Sequence, residues 1–180
     1  MNQLGKVFLS HKSEDKDFVR YVAEKIGIDR CHYDEYTFED GMNTLDEIMS
    51  ALDSTDLFVL FISDKALDSK WVKRERVRAK KLLDQGKIKQ IYPIIIDSNP
   101  AITYADERIP SWMREQYVIR RITSPKIAVQ KIKARLVELT WEIAPNLKNQ
   151  QTYFFGRNSE IEAFEQRRAN LDKPEMVCIK

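Results

Sequence analysis

Two hydrophobic periods share the 180-residue chain. Short apolar runs bounded by polar turns predict strands at Lys6-Val-Phe-Leu-Ser10, around Arg30-Cys-His-Tyr33, at Leu57-Phe-Val-Leu-Phe-Ile62, at Gln90-Ile-Tyr-Pro-Ile-Ile-Ile96 and at Gln116-Tyr-Val-Ile119. The third run is almost wholly apolar, as a strand covered on both faces is. Pro93 breaks the regular ladder expected of the fourth. Between the runs, apolar residues recur at helical spacing. Phe18, Val19, Val22 and Ile26 share one face, Gly27 fits the C-terminus of that helix, and Ser13 is placed to cap its acidic start. Leu45, Ile48, Met49 and Leu52 define a helix over 44–52. Trp71, Val77 and Leu82 or Leu83 offer the inward face of one over 71–83, which Gly86 ends. Ile127, Ile132, Leu136, Leu139 and Ile143 define the last, over 126–143.

Strands that alternate with helices specify an α/β fold, an open parallel sheet with helices on both faces and right-handed crossovers. The periodic pattern stops near Ala144. Residues 1–145 therefore read as one domain, and the polar, aperiodic stretch 146–152 as a linker.

Composition narrows the function classes. A hydrophobic fraction of 43% builds a real core, and 32% charged residues suit a solvated surface. The net charge of +2 gives no global reason to expect a nucleic-acid partner. The basic run Lys70, Lys73, Arg74, Arg76, Arg78, Lys80 and Lys81 reads first as the wet face of a helix and second as an anion or partner surface. Two cysteines, Cys31 and Cys178, form neither a disulfide framework nor a metal cluster, and fit a reducing compartment. The N-terminus lacks a signal-peptide core, and no apolar run approaches the ~20 residues of a membrane span. A cytoplasmic protein is the expectation.

Candidate chemistry gathers after the third strand. The segment Ser63-Asp-Lys-Ala-Leu-Asp-Ser-Lys-Trp-Val-Lys-Arg-Glu75 places an acidic side chain beyond the C-terminal end of a central strand, the side on which open α/β sheets bind ligands. Glu75 is either a catalytic carboxylate or an ordinary first-turn helix residue. Trp71, four residues earlier and so on the same face, either walls a pocket or anchors the helix to the sheet. Ser10 ends the first strand and either binds a ligand or caps a turn. Phe8 reads as core, and His11 as near the cleft. Ser63 and Ser69, which bracket the approach to Glu75, both have cap or turn readings. Gly41 reads as a turn glycine. Neither His11 nor His32 belongs to a metal-ligand pattern, and no Ser-His-Asp triad can be assembled.

These pieces in their order resemble the Toll/interleukin-1 receptor (TIR) domain over roughly residues 5 to 145. Val7-Phe-Leu-Ser-His-Lys-Ser-Glu-Asp15 is similar to the family's first box. Asp34 with Phe38-Glu-Asp-Gly41 resembles the loop after the second strand, although Asp40 stands where a proline is frequent. Leu57-Phe-Val-Leu-Phe-Ile-Ser63 and Ser69-Lys-Trp-Val-Lys-Arg-Glu75 resemble the third strand and the Ser-x-Trp-x-x-x-Glu helix start. The resemblance implies a flavodoxin-like five-stranded sheet of order 2-1-3-4-5. Trp71-Val-Lys-Arg-Glu75 looks most like the branch that cleaves NAD at the nicotinamide–ribose bond. For that branch the resemblance implies Glu75 as the catalytic carboxylate, with Phe8, Ser10, His11, Asp34, Gly41, Ser63, Ser69 and Trp71 around the substrate. It further implies NAD as a substrate rather than a permanently bound cofactor, homotypic TIR–TIR contacts, and a site that the loop from Asp34 to Thr44 of a second domain completes. The alternative is a non-enzymatic TIR–TIR interaction and signalling module. A nucleotide-sensing or base-exchange domain is the third class.

The tail Tyr153-Phe-Phe-Gly-Arg-Asn-Ser-Glu-Ile161 resembles the Phe-x-Gly-Arg-x-x-Glu-Ile start of a STAND or NACHT-type ATPase. Residues 153–180 would be its N-terminal edge, without the Gly-x-x-x-x-Gly-Lys-Ser/Thr phosphate loop. The resemblance implies an effector–ATPase–sensor protein of the kind found in immune and anti-phage systems, active upon oligomerisation.

Overall fold

The computed structural model describes residues 5–32 and 50–143. The loop with Asp34, Asp40 and Gly41, the first part of the helix expected over 44–52, the linker 146–152 and residues 153–180 lie outside the described residues. The chain divides into two compact units, Met1–Thr140 and Trp141–Lys180, and the sheet belongs to the first.

The elements run β1 (Val7–Ser10), a short 3-10 turn (Ser13–Asp15), α1 (Lys16–Ile26), a second such turn (Ile28–Arg30), β2 (Cys31–His32), β3 (Leu57–Ile62), α2 (Asp64–Asp68), α3 (Lys70–Asp84), β4 (Gln90–Ile95), α4 (Ser111–Gln116), β5 (Arg120–Arg121) and α5 (Pro125–Ile143). Among the described residues the strands form one five-stranded sheet in the order β2-β1-β3-β4-β5, with every pairing parallel. This is the expected flavodoxin-like order.

Side chains alternate across each strand, and that alternation divides the core in two. On one face Val7, Leu9, Leu57, Val59 and Phe61 pack with Val19, Val22 and Ile26 of α1 and with Ile132, Leu136 and Leu139 of α5. On the other, Phe8, Phe58, Leu60 and Ile62 pack with Val72, Ala79 and Leu82 of α3 and with Ile102, Ile109 and Met113. Every residue of β3 is buried, and full burial of one such apolar side chain is worth about 1.5–3 kcal/mol.

Pro93 sits inside β4, opposite Leu60 of β3. The amides of Gln90 and Ile96 donate toward β3, to Asp56 and Ile62, so alternation turns the nitrogen of Pro93 to the other side. There β5 pairs only Ile94 and Ile95. No ladder bond is lost, and the strand stays regular.

Several expectations are corrected. Ser13 does not cap α1: its hydroxyl donates to Glu14, and Asp15 occupies the N-cap position of the helix. The buried stripe of α3 is Val72, Glu75, Arg76, Ala79 and Leu82. At about 100° per residue Trp71 falls at its border, 45% exposed, and Val77 falls opposite, 70% exposed. Arg76, grouped by sequence with a wet basic face, is among the buried residues. The fifth strand is Arg120–Arg121 rather than 116–119, because Ser111–Gln116 forms a helix and the chain reaches Ile94 and Ile95 only afterwards. On α5 Ile127 is exposed and Ala128 and Val129 take the buried positions. Gly27 (φ 116) and Gly86 (φ 71) leave α1 and α3 with positive φ, which only glycine adopts without strain.

Candidate active site

The sheet order places a crevice by topology alone. From β1 the chain crosses to β2 on one side, and β3 lies on the other. In doubly wound sheets the ligand lies at such a switch point, outside the carboxyl ends of the strands. Ser10 is the last residue of β1 and Ser63 follows the last residue of β3, so both serines stand at that place.

Alternation decides what Ser10 meets. Val7 and Leu9 face α1 and α5, so Phe8 and Ser10 face α3. Phe8 is buried and stacks on Phe58 with ring centroids 5.8 Å apart, which fits its core reading. Ser10, 1% exposed, donates its hydroxyl to Oε2 of Glu75 at 2.5 Å. Glu75 is 8% exposed, on the side of α3 that faces the sheet. An acidic residue on that stripe is a hydrophobic position given up, since a buried carboxyl group must be hydrogen-bonded to be tolerated. Two residues singled out separately in the sequence are thus joined.

A second hydroxyl–carboxylate pair lies beside the first along the strand ends. Ser63 donates to Oδ2 of Asp15 at 2.6 Å, while its oxygen accepts from the amide of Ala66 at 3.1 Å and caps α2. Burial pushes the Asp15 carboxyl above its ordinary range, opposed by the Ser63 hydroxyl and by His11. Nδ1 of His11 is 3.0 Å from the carbonyl oxygen of Leu9, which can only accept, so Nδ1 carries a proton. Ser69 caps α3 by accepting from the amide of Val72 at 3.4 Å. The two serines around Glu75 are caps that set where α2 and α3 begin, and with them the height of Glu75 over the sheet. Trp71 lies on the outer border with the Arg74 guanidinium 5.4 Å from its ring centroid; it does not anchor the helix to the sheet. Asp34 and Gly41 lie outside the described residues.

The loop that leaves β4 closes the same end of the sheet. Asp97 accepts from the amides of Asp64 and Asn99 at 2.9 and 2.8 Å, bonds that hold its carboxyl below the usual carboxylate range. Arg108 pairs with Asp64, Asp68 and Asp106 at 3.0, 3.2 and 2.8 Å, tying this loop to α2. Sequence reasoning missed Asp15, Arg76 and Arg108. Only for Asp15 was there a local signal, its place just past the first strand. Among the described residues no three His, Cys, Asp or Glu side chains are grouped to hold a metal ion. A carboxylate positioned as Glu75 is can accept hydrogen bonds from sugar hydroxyls and stabilise positive charge developing on a bound group.

A family model for the TIR domain matches residues 7–121, from the first residue of β1 to the last of β5. Thirty solved chains match the protein. Among them the CMP N-glycosidase BcmB of Clostridium botulinum shares 15% identity over 72% of this chain and 98% of that chain, with a TM-score of 0.48. No curated protein matches the chain. No helix among the described residues is long and apolar enough to cross a membrane.

Proposed function

The chain belongs to the TIR domain family, and from that membership we propose that it is an NAD glycohydrolase that releases nicotinamide, with Glu75 as its catalytic carboxylate. The observation that carries the reading is the buried Ser10–Glu75 pair at the β1/β3 switch point. An acid on the core-facing stripe of a helix has no structural advantage over leucine, and its retention at the ligand end of the sheet fits a chemical task. Nicotinamide leaves NAD as a neutral ring, so departure needs little proton donation, and the ribose left behind becomes oxocarbenium-like. Glu75 holds the ribose hydroxyls and stabilises that positive charge. Ser10 fixes one carboxylate oxygen so that the other keeps its direction. The exposed Trp71 and the half-buried His11 take part in the substrate wall, together with Asp34 and Gly41 of the loop after β2. Ser63 and Ser69 act through the helices they cap. NAD enters as substrate, without a permanently bound cofactor.

In the same reading the domain is the effector of an immune or anti-phage protein of the cytoplasm. Residues 153–180 begin a STAND or NACHT-type ATPase, whose oligomerisation brings TIR domains into homotypic contact and starts cleavage. The exposed apolar side chains of Ile127 and Val137 on α5 favour, as a second reading, an interaction module without enzymatic activity. Expression in bacteria of the chain fused to an oligomerising domain separates the two. The enzymatic reading expects cellular NAD to fall and growth to stop, with both effects absent for Glu75→Ala. Unchanged NAD in cells that hold folded, clustered wild-type protein leaves the interaction module.

A further inference from the structure

Arg76 follows Glu75 on the buried stripe of α3 and is itself 8% exposed. Its Nη1 donates to the carbonyl oxygen of Arg108 at 3.2 Å, and its Nε is buried without a hydrogen-bond partner. Among the described residues no carboxylate forms an ion pair with it. Asp64, Asp68 and Asp106 pair with the side chain of Arg108, the residue whose carbonyl Arg76 meets. Burial draws its pKa down, but a guanidinium stays charged in any protein. A cation withdrawn from water with one carbonyl for compensation is a marked cost to folding. A leucine or methionine would serve the packing of α3 better.

The surroundings point to what offsets that cost. Arg76 is held between α3 and the loop that leaves β4, at the end of the sheet where Ser10 meets Glu75. Consecutive Cα atoms are about 3.8 Å apart, and neighbouring helix positions diverge by about 100°. The two side chains therefore start from adjacent points of one helix. The position is too recessed for an acidic protein surface, whereas a phosphate group is small, and its oxygens match the guanidinium fork.

We infer that Arg76 is an oxyanion-binding residue that receives a phosphate of a nucleotide whose sugar meets Glu75. The identity of the sugar rests on the function proposed above; the anion site does not. The site makes the protein selective for nucleotides over nucleosides, and NAD brings the required diphosphate beside its nicotinamide ribose.

The test follows thermal unfolding of the full 180-residue chain against inorganic pyrophosphate at constant ionic strength, with chloride as control, for wild type, Arg76→Lys and Arg76→Met. A ligand of the native state raises the midpoint by an amount that grows with the logarithm of its concentration above the dissociation constant. The wild-type midpoint is expected to rise steadily with pyrophosphate, the Lys variant to need about tenfold more pyrophosphate for the same shift, and the Met variant to follow the chloride control. Without pyrophosphate the Met variant unfolds no lower than wild type, since it no longer buries a charge. Equal pyrophosphate responses in wild type and Met variant, or none in wild type, overturn the inference. Should the Met variant not fold, the Lys variant decides: a response as strong as wild type overturns the site, a weaker one supports it. Nicotinamide release by the same proteins keeps the two proposals apart. A wild type that binds pyrophosphate through Arg76 but releases no nicotinamide loses the NAD reading and keeps the site. Release with the same KM for NAD in wild type and Arg76→Lys does the reverse.

Discussion

Ser10 and Glu75 share a hydrogen bond of 2.5 Å where neither side chain is open to water, so the loss of this bond is felt in the stability of the fold. Ser10→Ala is expected to lower stability by about 1–3 kcal/mol, as read from urea unfolding, and to reduce NAD cleavage because the carboxylate loses its fixed direction. Trp71 behaves in the opposite way. Its ring is at the surface under Arg74, and an exposed cation–π contact is worth about 0.5–1 kcal/mol. Trp71→Ala should therefore leave the unfolding free energy within about 1 kcal/mol of wild type. A larger loss would mean that the indole anchors the helix after all. The sequence marked Glu75, by its place after an apolar strand, and Ser10, by its place at a strand end. Their bond was not legible there, because 65 positions separate them and only the strand alternation turns Ser10 toward α3. Arg76 misled for a related reason: a basic residue among basic residues looks solvated until the helix phase is known.

Elements depend on small polar devices at their ends. Ser63 caps α2 and also holds Asp15 at the start of α1, so one hydroxyl joins two helices beside the site. Ser63→Ala should cost about 0.5–2 kcal/mol, checked by the denaturant midpoint. The same contact gives a pH dependence. Burial raises the Asp15 carboxyl above its ordinary value, so the folded chain holds that proton more tightly than the unfolded one. The contribution of Asp15 is then full below the unfolded pKa of about 3.9 and is lost as pH rises through the folded value. Denaturant midpoints measured upward from about pH 4 should fall less for Asp15→Asn than for wild type; identical slopes would contradict the assignment. The positions of α1, α3 and α5 were legible from apolar periodicity, but those of the short α2 and α4 were not, nor was the phase of α3. Trp71 and Val77 are apolar yet lie off the stripe, while Glu75 and Arg76 are charged yet lie on it. Hydrophobicity places a helix face only where no buried charge displaces it.

At the scale of the whole molecule, the alternation of strands with helices was enough to anticipate the parallel sheet, since parallel neighbours require crossovers and crossovers share one hand, while the strand order came from the resemblance to the TIR domain. The two-residue β2 and β5 carry little apolar pattern of their own, and β5 was expected a few residues too early because its pairing with Ile94 and Ile95 is a tertiary fact. That sheet order also sets the crevice at β1 and β3 before any side chain is considered, and the TIR family match spans the whole of it. The central claim is that Glu75, held by Ser10 in that crevice, cleaves NAD once domains are brought together. Nicotinamide release by purified chain clustered on a multivalent scaffold, wild type beside Glu75→Gln, tests it most directly. Glutamine keeps the shape and can still accept from Ser10, so folding and clustering are preserved while the negative charge is gone. Wild type should release nicotinamide when clustered, and Glu75→Gln should be slower by about 100-fold or more, as loss of one transition-state charge contact implies. Equal release by the two clustered proteins, or none by wild type, would contradict it.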